Sequence, residues 1–137
     1  MTRVYLDGIF DLYHRGHLES FKKCLKFGDE LVVGVISDKD AEGYKRKPII
    51  YEKDRVELIK HCNLVNEVIF PAPLTMTKEF IENNKIDKIV HGFFNEEDME
   101  KQKEFFKVPR EMGIFEAIEY YKDESTTKIM DRIHKFF

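Results

Sequence analysis

The chain lacks tryptophan altogether and carries few cysteines (2), prolines (4) or glycines (7) among its 137 residues. Cys24 and Cys62 stand far apart and outside any CxxC, which excludes a disulfide framework or a zinc knuckle and makes a reducing, cytoplasmic setting the expectation. No apolar stretch reaches the length of a signal peptide or a membrane span, so an unprocessed, soluble protein with no membrane partner is expected. A surplus of one charge is also missing: 23 Lys and Arg stand against 26 Asp and Glu. Nucleic acid is therefore not an expected partner, and any anion site must be local. There is no internal repeat, low-complexity tract or linker. With 42% hydrophobic and 36% charged residues, the composition suits one domain over residues 1–137.

The apolar residues fall into an alternation. Arg3-Val4-Tyr5-Leu6-Asp7 predicts a strand ending at Gly8, and Arg15 to Phe27 has helical spacing before a stop at Gly28. Glu30 to Ser37 is a continuous apolar run too short for a helix, as in a strand covered on both faces. Asp38 to Pro48 reads as a polar, basic loop. A helix over Glu52 to Cys62, a strand over Val65 to Phe70 closed by Pro71-Ala72-Pro73, a helix from Thr77 to Asn84 and a strand over Lys88 to His91 follow. A charged helix over Glu96 to Met112, a strand over Ile114 to Tyr120 and a helix capped by Ser125-Thr126-Thr127 complete the series. Strands separated by helices predict an α/β fold, a doubly wound five-stranded parallel sheet. Ligands in such sheets sit at the carboxyl ends of the strands. That points to Gly8 to His17, Asp38 to Lys47, His91 to Asn95 and Tyr121 to Thr127.

The first of these segments is the most informative: Asp7-Gly8-Ile9-Phe10-Asp11-Leu12-Tyr13-His14-Arg15-Gly16-His17. Gly8 allows a tight turn beside a ligand. His14 and His17 lie three apart at a helix start and share one face. A helix amino end offers unpaired N–H groups and a positive dipole, which favour phosphate, and Gly16 leaves room for it. A lone histidine is most often a solvated or core residue; the pair in this setting reads as a phosphate site. A zinc reading lacks a third ligand, so no metal-ligating residue is assigned.

DGIFDLYHRGH resembles the HxGH region of the CTP:phosphocholine, phosphoethanolamine and glycerol-3-phosphate cytidylyltransferases. The likeness continues through VVGVISD, the lysine loop, KDRVELIKHCNLVNEVI, PAP and STTKI, and so spans nearly the whole chain. It implies a Rossmann-like nucleotidyltransferase fold, many of whose members are homodimers. The implied activity is transfer of CMP from CTP to a phosphorylated alcohol, with Mg²⁺ accompanying CTP and phosphocholine favoured as acceptor. The attacking phosphate oxygen is already ionised at neutral pH, so positioning and charge neutralisation should carry the catalysis. By resemblance, His14, His17 and Lys45 are the catalytic residues. The nucleotide would lie against Gly8, Ile9, Phe10, Gly16, Lys47, His91, Gly92 and the phosphate-binding start of the last helix at Ser125, Thr126 and Thr127. Asp7 and Asp11 would orient the acceptor or a magnesium shell. Arg55 is read instead as pairing with structural neighbours.

Three departures qualify the likeness. Relatives carry RTxGIST before the last helix, with a triphosphate-gripping arginine, whereas this chain has Tyr120-Tyr121-Lys122-Asp123-Glu124-Ser125-Thr126-Thr127. Lys122 is the expected substitute. After strand four the aspartates of relatives are replaced in His91-Gly92-Phe93-Phe94-Asn95-Glu96. The residue after Pro-Ala-Pro is Leu74, where choline-specific relatives have an aromatic; Phe93, Phe94 and Tyr13 are the candidates to rebuild a cage for a quaternary ammonium. Phosphoethanolamine or glycerol-3-phosphate as acceptor, a weakened nucleotide-binding regulatory module, and an ATP-using nucleotidyltransferase therefore remain as alternatives. No appended amphipathic segment is expected, so activity should not depend on lipid.

Overall fold

A run of small and branched apolar residues, polar only at its ends, forms a strand that can be covered on both faces. In the computed structural model, which describes residues 1–137, β1 (Arg3–Gly8) is such a strand and lies at the centre of the sheet. The sheet order is β3-β2-β1-β4-β5, with β2 (Glu30–Val35), β3 (Glu67–Ile69), β4 (Lys88–Gly92) and β5 (Phe115–Ile118) all parallel to their neighbours. Leu6 pairs with Val33 on one side and Val90 on the other. The strand order reverses at β1, which makes the crevice between the carboxyl ends of β1 and β4 the switch point.

Strand alternation sends side chains to two cores. Val4 and Leu6 join Leu31, Val33 and Val90 beneath Phe21 and Cys24 of α1 (Arg15–Cys24) and Ile59 of α3 (Glu52–Lys60). Tyr5, Val32 and Ile89 face the opposite way, against Ile81 of α4 (Lys78–Asn83), Met76 and Phe106. The doubly wound α/β sheet expected from the sequence is therefore present. No helix is long and apolar enough to cross a membrane.

Two segments differ from expectation. Asp38–Tyr44, read as loop, is a short helix, α2, with Ser37 Oγ accepting from the Asp40 N–H at 3.2 Å. Only Ala41 of it is buried, so it shows no apolar period. The charged helix expected over Glu96 to Met112 is broken into α5 (Glu96–Lys101), a 3-10 turn (Lys103–Phe106) and α6 (Lys107–Glu111). Pro109 has no N–H for the carbonyl of Phe105. That carbonyl instead accepts from the Met76 N–H at 2.9 Å, while Phe106 turns into the core. The last helix, α7, runs Thr126–Phe136, with Ser125 Oγ capping the Lys128 N–H.

The Tyr5 hydroxyl is fully buried with no hydrogen-bond partner, packed over Gly34, and burial pushes its pKa well up. An orphaned buried hydroxyl costs about 1–3 kcal/mol. Tyr5→Phe is expected to raise the thermal midpoint by about 4 °C per kcal/mol recovered, read by calorimetry. An unchanged or lower midpoint would mean that the hydroxyl has a partner in solution.

Candidate functional site

Arg55 is the best-buried cation in the chain, with 0% of its surface exposed. Its Nη1 donates to the carbonyls of Ile9 (2.6 Å) and Ile36 (2.9 Å), its Nε to that of Ile50 (2.9 Å), and its Nη2 to Asp38 Oδ1 (2.6 Å). One guanidinium thus joins the turn after β1, the end of β2, the first residue of α2 and the approach to α3. Asp11 acts in concert with it: Oδ2 accepts from the Ile49 N–H at 2.8 Å and Oδ1 from that of Ile50 at 2.9 Å. The basic loop is thereby moored to the first motif. Asp11 was expected to orient acceptor or magnesium; both its oxygens hold backbone, which gives it a structural role, and it also lines the cavity at the carboxyl edge of the sheet.

Gly8 was expected to supply the tight turn. The positive φ angles fall instead on Phe10 (57°) and Leu12 (51°), while a side chain at Gly8 would strike the Phe10 ring. Left-handed backbone at non-glycine residues costs about 1–3 kcal/mol each. Packing holds Phe10 there: its ring meets His17 edge-on at 5.3 Å and Phe21 at 5.5 Å.

His14 is the N-cap of α1, and its Nδ1 accepts from the Gly16 N–H at 3.0 Å. The His17 Nδ1 accepts from the His14 N–H at 3.2 Å, and the two rings stack 3.8 Å apart. A nitrogen that accepts cannot carry the proton, so both imidazoles are placed in the Nε2–H form. His14 Nε2 then reaches Thr126 Oγ1 (3.2 Å), which donates onward to the Asp11 carbonyl (3.1 Å). Burial lowers the His14 pKa against the pull of Glu124. Burial, aided by His14 and Lys45, brings His17 down to about 3. Two expectations change as a result. The imidazoles themselves occupy N–H groups of the α1 amino end that were expected to meet phosphate. The space beside Gly16 is filled by the His14 ring and the Glu124 carbonyl, so its missing side chain admits the cap rather than a ligand.

A cavity of about 220 Å³ opens at the carboxyl edge of the sheet. All four expected segments contribute to it: Asp7 to Asp11 and His17; Tyr44, Lys45 and Arg46; His91 and Gly92; Tyr120, Thr126 and Thr127. Asp7 Oδ1 pairs with His91 Nδ1 at 3.2 Å. The N–H groups of Thr126 and Thr127, in the first turn of α7, have no acceptor within the helix. His14 does not line the cavity; its Nε2 reaches Thr126, which does. Ser125 lies deeper, as the cap. Lys47 does not line the cavity and faces solvent, because the chain has already turned toward its Asp11 mooring; Arg46 lines it instead. Sequence reasoning missed Arg46 and Tyr120, although Tyr120 occupies the place of the absent arginine.

A second cavity of about 360 Å³ adjoins the first through Tyr120. It is lined by Phe93, Phe94 and Tyr121 with Lys122, Ser125 and Lys128. Phe94, 62% exposed, meets Tyr120 edge-on at 5.4 Å. The expected cage does not form, because Tyr13 stacks on the far side of His17 (6.0 Å) and Phe93 is packed into the core against Phe106 and Phe115. Lys122 pairs with Glu119 at 4.0 Å and is absent from the polar cavity, so it does not replace the arginine there.

Residues 5–132 match the family described as cytidylyltransferase-like. The ethanolamine-phosphate cytidylyltransferase of Dictyostelium discoideum is 35% identical over 95% of this chain and 37% of its own length. The choline-phosphate cytidylyltransferase of Saccharomyces cerevisiae is also 35% identical, over 96% of this chain and 31% of its own. The chain thus spans about a third of the length of these relatives. The crystal structure of a lipopolysaccharide core biosynthesis protein from Thermoplasma volcanium GSS1 superposes with a TM-score of 0.72 at 30% identity, covering 89% of this chain and 99% of that one.

Truncating Arg55 to Met leaves Asp38 and three carbonyls without their donor, and losses of about 3–5 kcal/mol are typical of breaking such buried pairs. Urea denaturation should show this as a lower midpoint, and a loss under 1 kcal/mol would contradict the mooring role. The histidines predict a pH dependence. A folded pKa of about 3 against an ordinary 6.5 means that the unfolded chain binds more protons between those values. This contribution is complete above pH 6.5 and declines as pH falls, by about 1.4 kcal/mol per unit. His17→Asn keeps an acceptor for the His14 N–H and removes the titration. Its stability should fall less between pH 6.5 and 5 than the wild type's; equal slopes would place the dependence elsewhere.

Proposed function

The chain belongs to the cytidylyltransferase-like family, and we propose that it transfers CMP from CTP to a phosphorylated amino alcohol, releasing pyrophosphate. The observation that carries this reading is the convergence of His17, Lys45 and the open first turn of α7 on one cavity at the switch point of the sheet. A cation, a buried N–H donor and a positive helix end suit the growing charge on a leaving pyrophosphate. The nucleophile is an ionised phosphate oxygen, so no proton need be removed. His17 is neutral before substrate arrives and donates through Nε2, and a neighbouring triphosphate would favour its charged form. The His14 Nε2–H, held by Thr126, is positioned to turn to the same phosphates.

The adjoining cavity lined by Phe94, Tyr120 and Tyr121 is proposed to hold the cytosine, because a flat ring needs faces and edge donors next to the phosphate site. Asp7 has one oxygen free of His91 and is the proposed partner of the acceptor's ammonium group. No three His, Cys, Asp or Glu side chains gather as a metal site. Mg²⁺ is accordingly proposed to sit on phosphate oxygens and water, as this ion does where few carboxylates are offered, and it would screen charge on the triphosphate. Phosphocholine and phosphoethanolamine are the two acceptors named by the relatives, and glycerol-3-phosphate is the alternative outside the amino alcohols. A homodimer in the cytoplasm belongs to the same proposal, and sedimentation would test the dimer. The tyrosine in place of the family's arginine favours one second reading, a nucleotide-binding module with little turnover.

Pyrophosphate release with CTP and each acceptor is the direct test, with ATP as the control nucleotide. Turnover with CTP and one amino-alcohol phosphate is expected. CTP binding without turnover on any acceptor would give the second reading, and absence of both would refute the first. His14→Asn supplies a preferred cap but no Nε2–H. It should lower kcat about 10²- to 10³-fold, the usual cost of one transition-state donor, with a thermal midpoint close to that of the wild type. Retained kcat would show that His14 serves the fold alone.

A further inference from the structure

We infer that Arg46 supplies the guanidinium that grips the triphosphate in this chain, from the loop after β2 rather than from the segment before α7. The inference rests on the proposed CTP reaction. At the position before α7 the polar cavity is lined by Tyr120, a phenol whose pKa burial raises, so it brings no charge. Lys122 pairs with Glu119 and lines the adjoining cavity, not this one. Arg46 lines the same cavity as His17, Lys45, Thr126 and Thr127.

Its placement is fixed at both ends. The Arg46 N–H donates to the Ala41 carbonyl at 3.1 Å, sharing that acceptor with Lys45 (2.9 Å), and three and four residues later the chain is held by Asp11. The side chain crosses to α7, where Nη1 contacts the Met130 sulfur. Met130 is four residues beyond Thr126 and so lies on the same helix face, one turn further on. The guanidinium therefore stands beside the open first turn of α7.

Its partners mark it as waiting for an anion. Each other arginine that reaches into the fold has a carboxylate: Arg3 pairs with Glu30 and Glu67, and Arg55 with Asp38. Arg46 forms no ion pair, and its one side-chain hydrogen-bond partner is a thioether, a weak acceptor. A half-buried guanidinium with five donors and no acid to meet them keeps those donors free for an entering anion. Phosphate oxygens presented from a helix start match its planar fork in a way that an ammonium does not. Lys45, its sequence neighbour, provides a point charge on the same loop, so the two cations differ in geometry rather than in reach.

The test compares Arg46→Ala and Arg46→Lys with wild type, with thermal midpoints checked first. Calorimetric titration with CTP and with CMP separates triphosphate contacts from base contacts. Arg46→Ala should weaken CTP binding at least tenfold and raise KM for CTP, while CMP binding moves less than twofold. Arg46→Lys should recover only a minor part of the loss. Unchanged CTP affinity in Arg46→Ala, an equal loss for CMP, or full rescue by lysine would each overturn the inference while leaving the proposed reaction intact. Wild type that binds no CTP would instead overturn that reaction, and this assignment with it. Arg46→Gln removes the charge while keeping a polar side chain, and CTP binding equal to that of the wild type would likewise overturn the inference.

Discussion

A buried guanidinium is stable only when each of its donors has an acceptor, and Arg55 meets that condition by drawing four separate pieces of chain to one point. The constraint works in both directions. The arginine needs those acceptors, and the three carbonyls and the Asp38 carboxylate belong to the turn after β1, the end of β2 and the two borders of the basic loop. A sheet edge would otherwise leave these segments as independent surface loops. Joined through Arg55 and Asp11, they form a floor on which Lys45 and Arg46 have defined positions. The left-handed turns at Phe10 and Leu12 are tolerated within the same knot, because the Ile9 carbonyl between β1 and Phe10 is one of the acceptors.

The two histidines show how little separates folding from chemistry here. Each uses Nδ1 to satisfy a backbone donor at the start of α1, and this leaves each with its proton on the opposite nitrogen. Protonating Nδ1 would break the cap, so burial and capping together keep the rings neutral in the free protein. The standing positive charge at the cavity comes from the loop after β2, and the imidazoles contribute directional N–H groups. A site built of charged histidines would instead have to hold two like charges with ring centroids 3.8 Å apart.

Much of this was legible in the residues. The alternation of apolar runs and helical stretches announced the parallel sheet, and the segments following strands one, two, four and five do meet at one cavity. The likeness of DGIFDLYHRGH to cytidylyltransferases agrees with the family match. What the sequence hid has common causes. Asp38–Tyr44 is helical because one serine caps it and Arg55 holds its first residue, neither of which leaves an apolar period. The long charged helix is interrupted between Lys101 and Lys107, where a distant N–H, that of Met76, claims the Phe105 carbonyl. Asp11 looked like a site carboxylate by position, and its occupation by backbone 38 and 39 residues away could be seen only in three dimensions. In Lys45-Arg46-Lys47 the spacing could not say which side chains face inward, since that depends on where the loop is tied.

That last point explains how the missing arginine can be replaced at all. A charge lost from one loop can be restored from another only if the second loop is rigid enough to keep a long cation off the protein's own carboxylates. Asp11 and the Ala41 carbonyl provide that rigidity, and Met130 offers the guanidinium an apolar shelf with no acid on it. An aspartate at the Met130 position would hold Arg46 more tightly and leave it less free for an anion, because a partly buried pair competes with the ligand for the same donors. A weak resting contact is therefore the arrangement that a phosphate-gripping arginine requires, and a strong one would have argued against it.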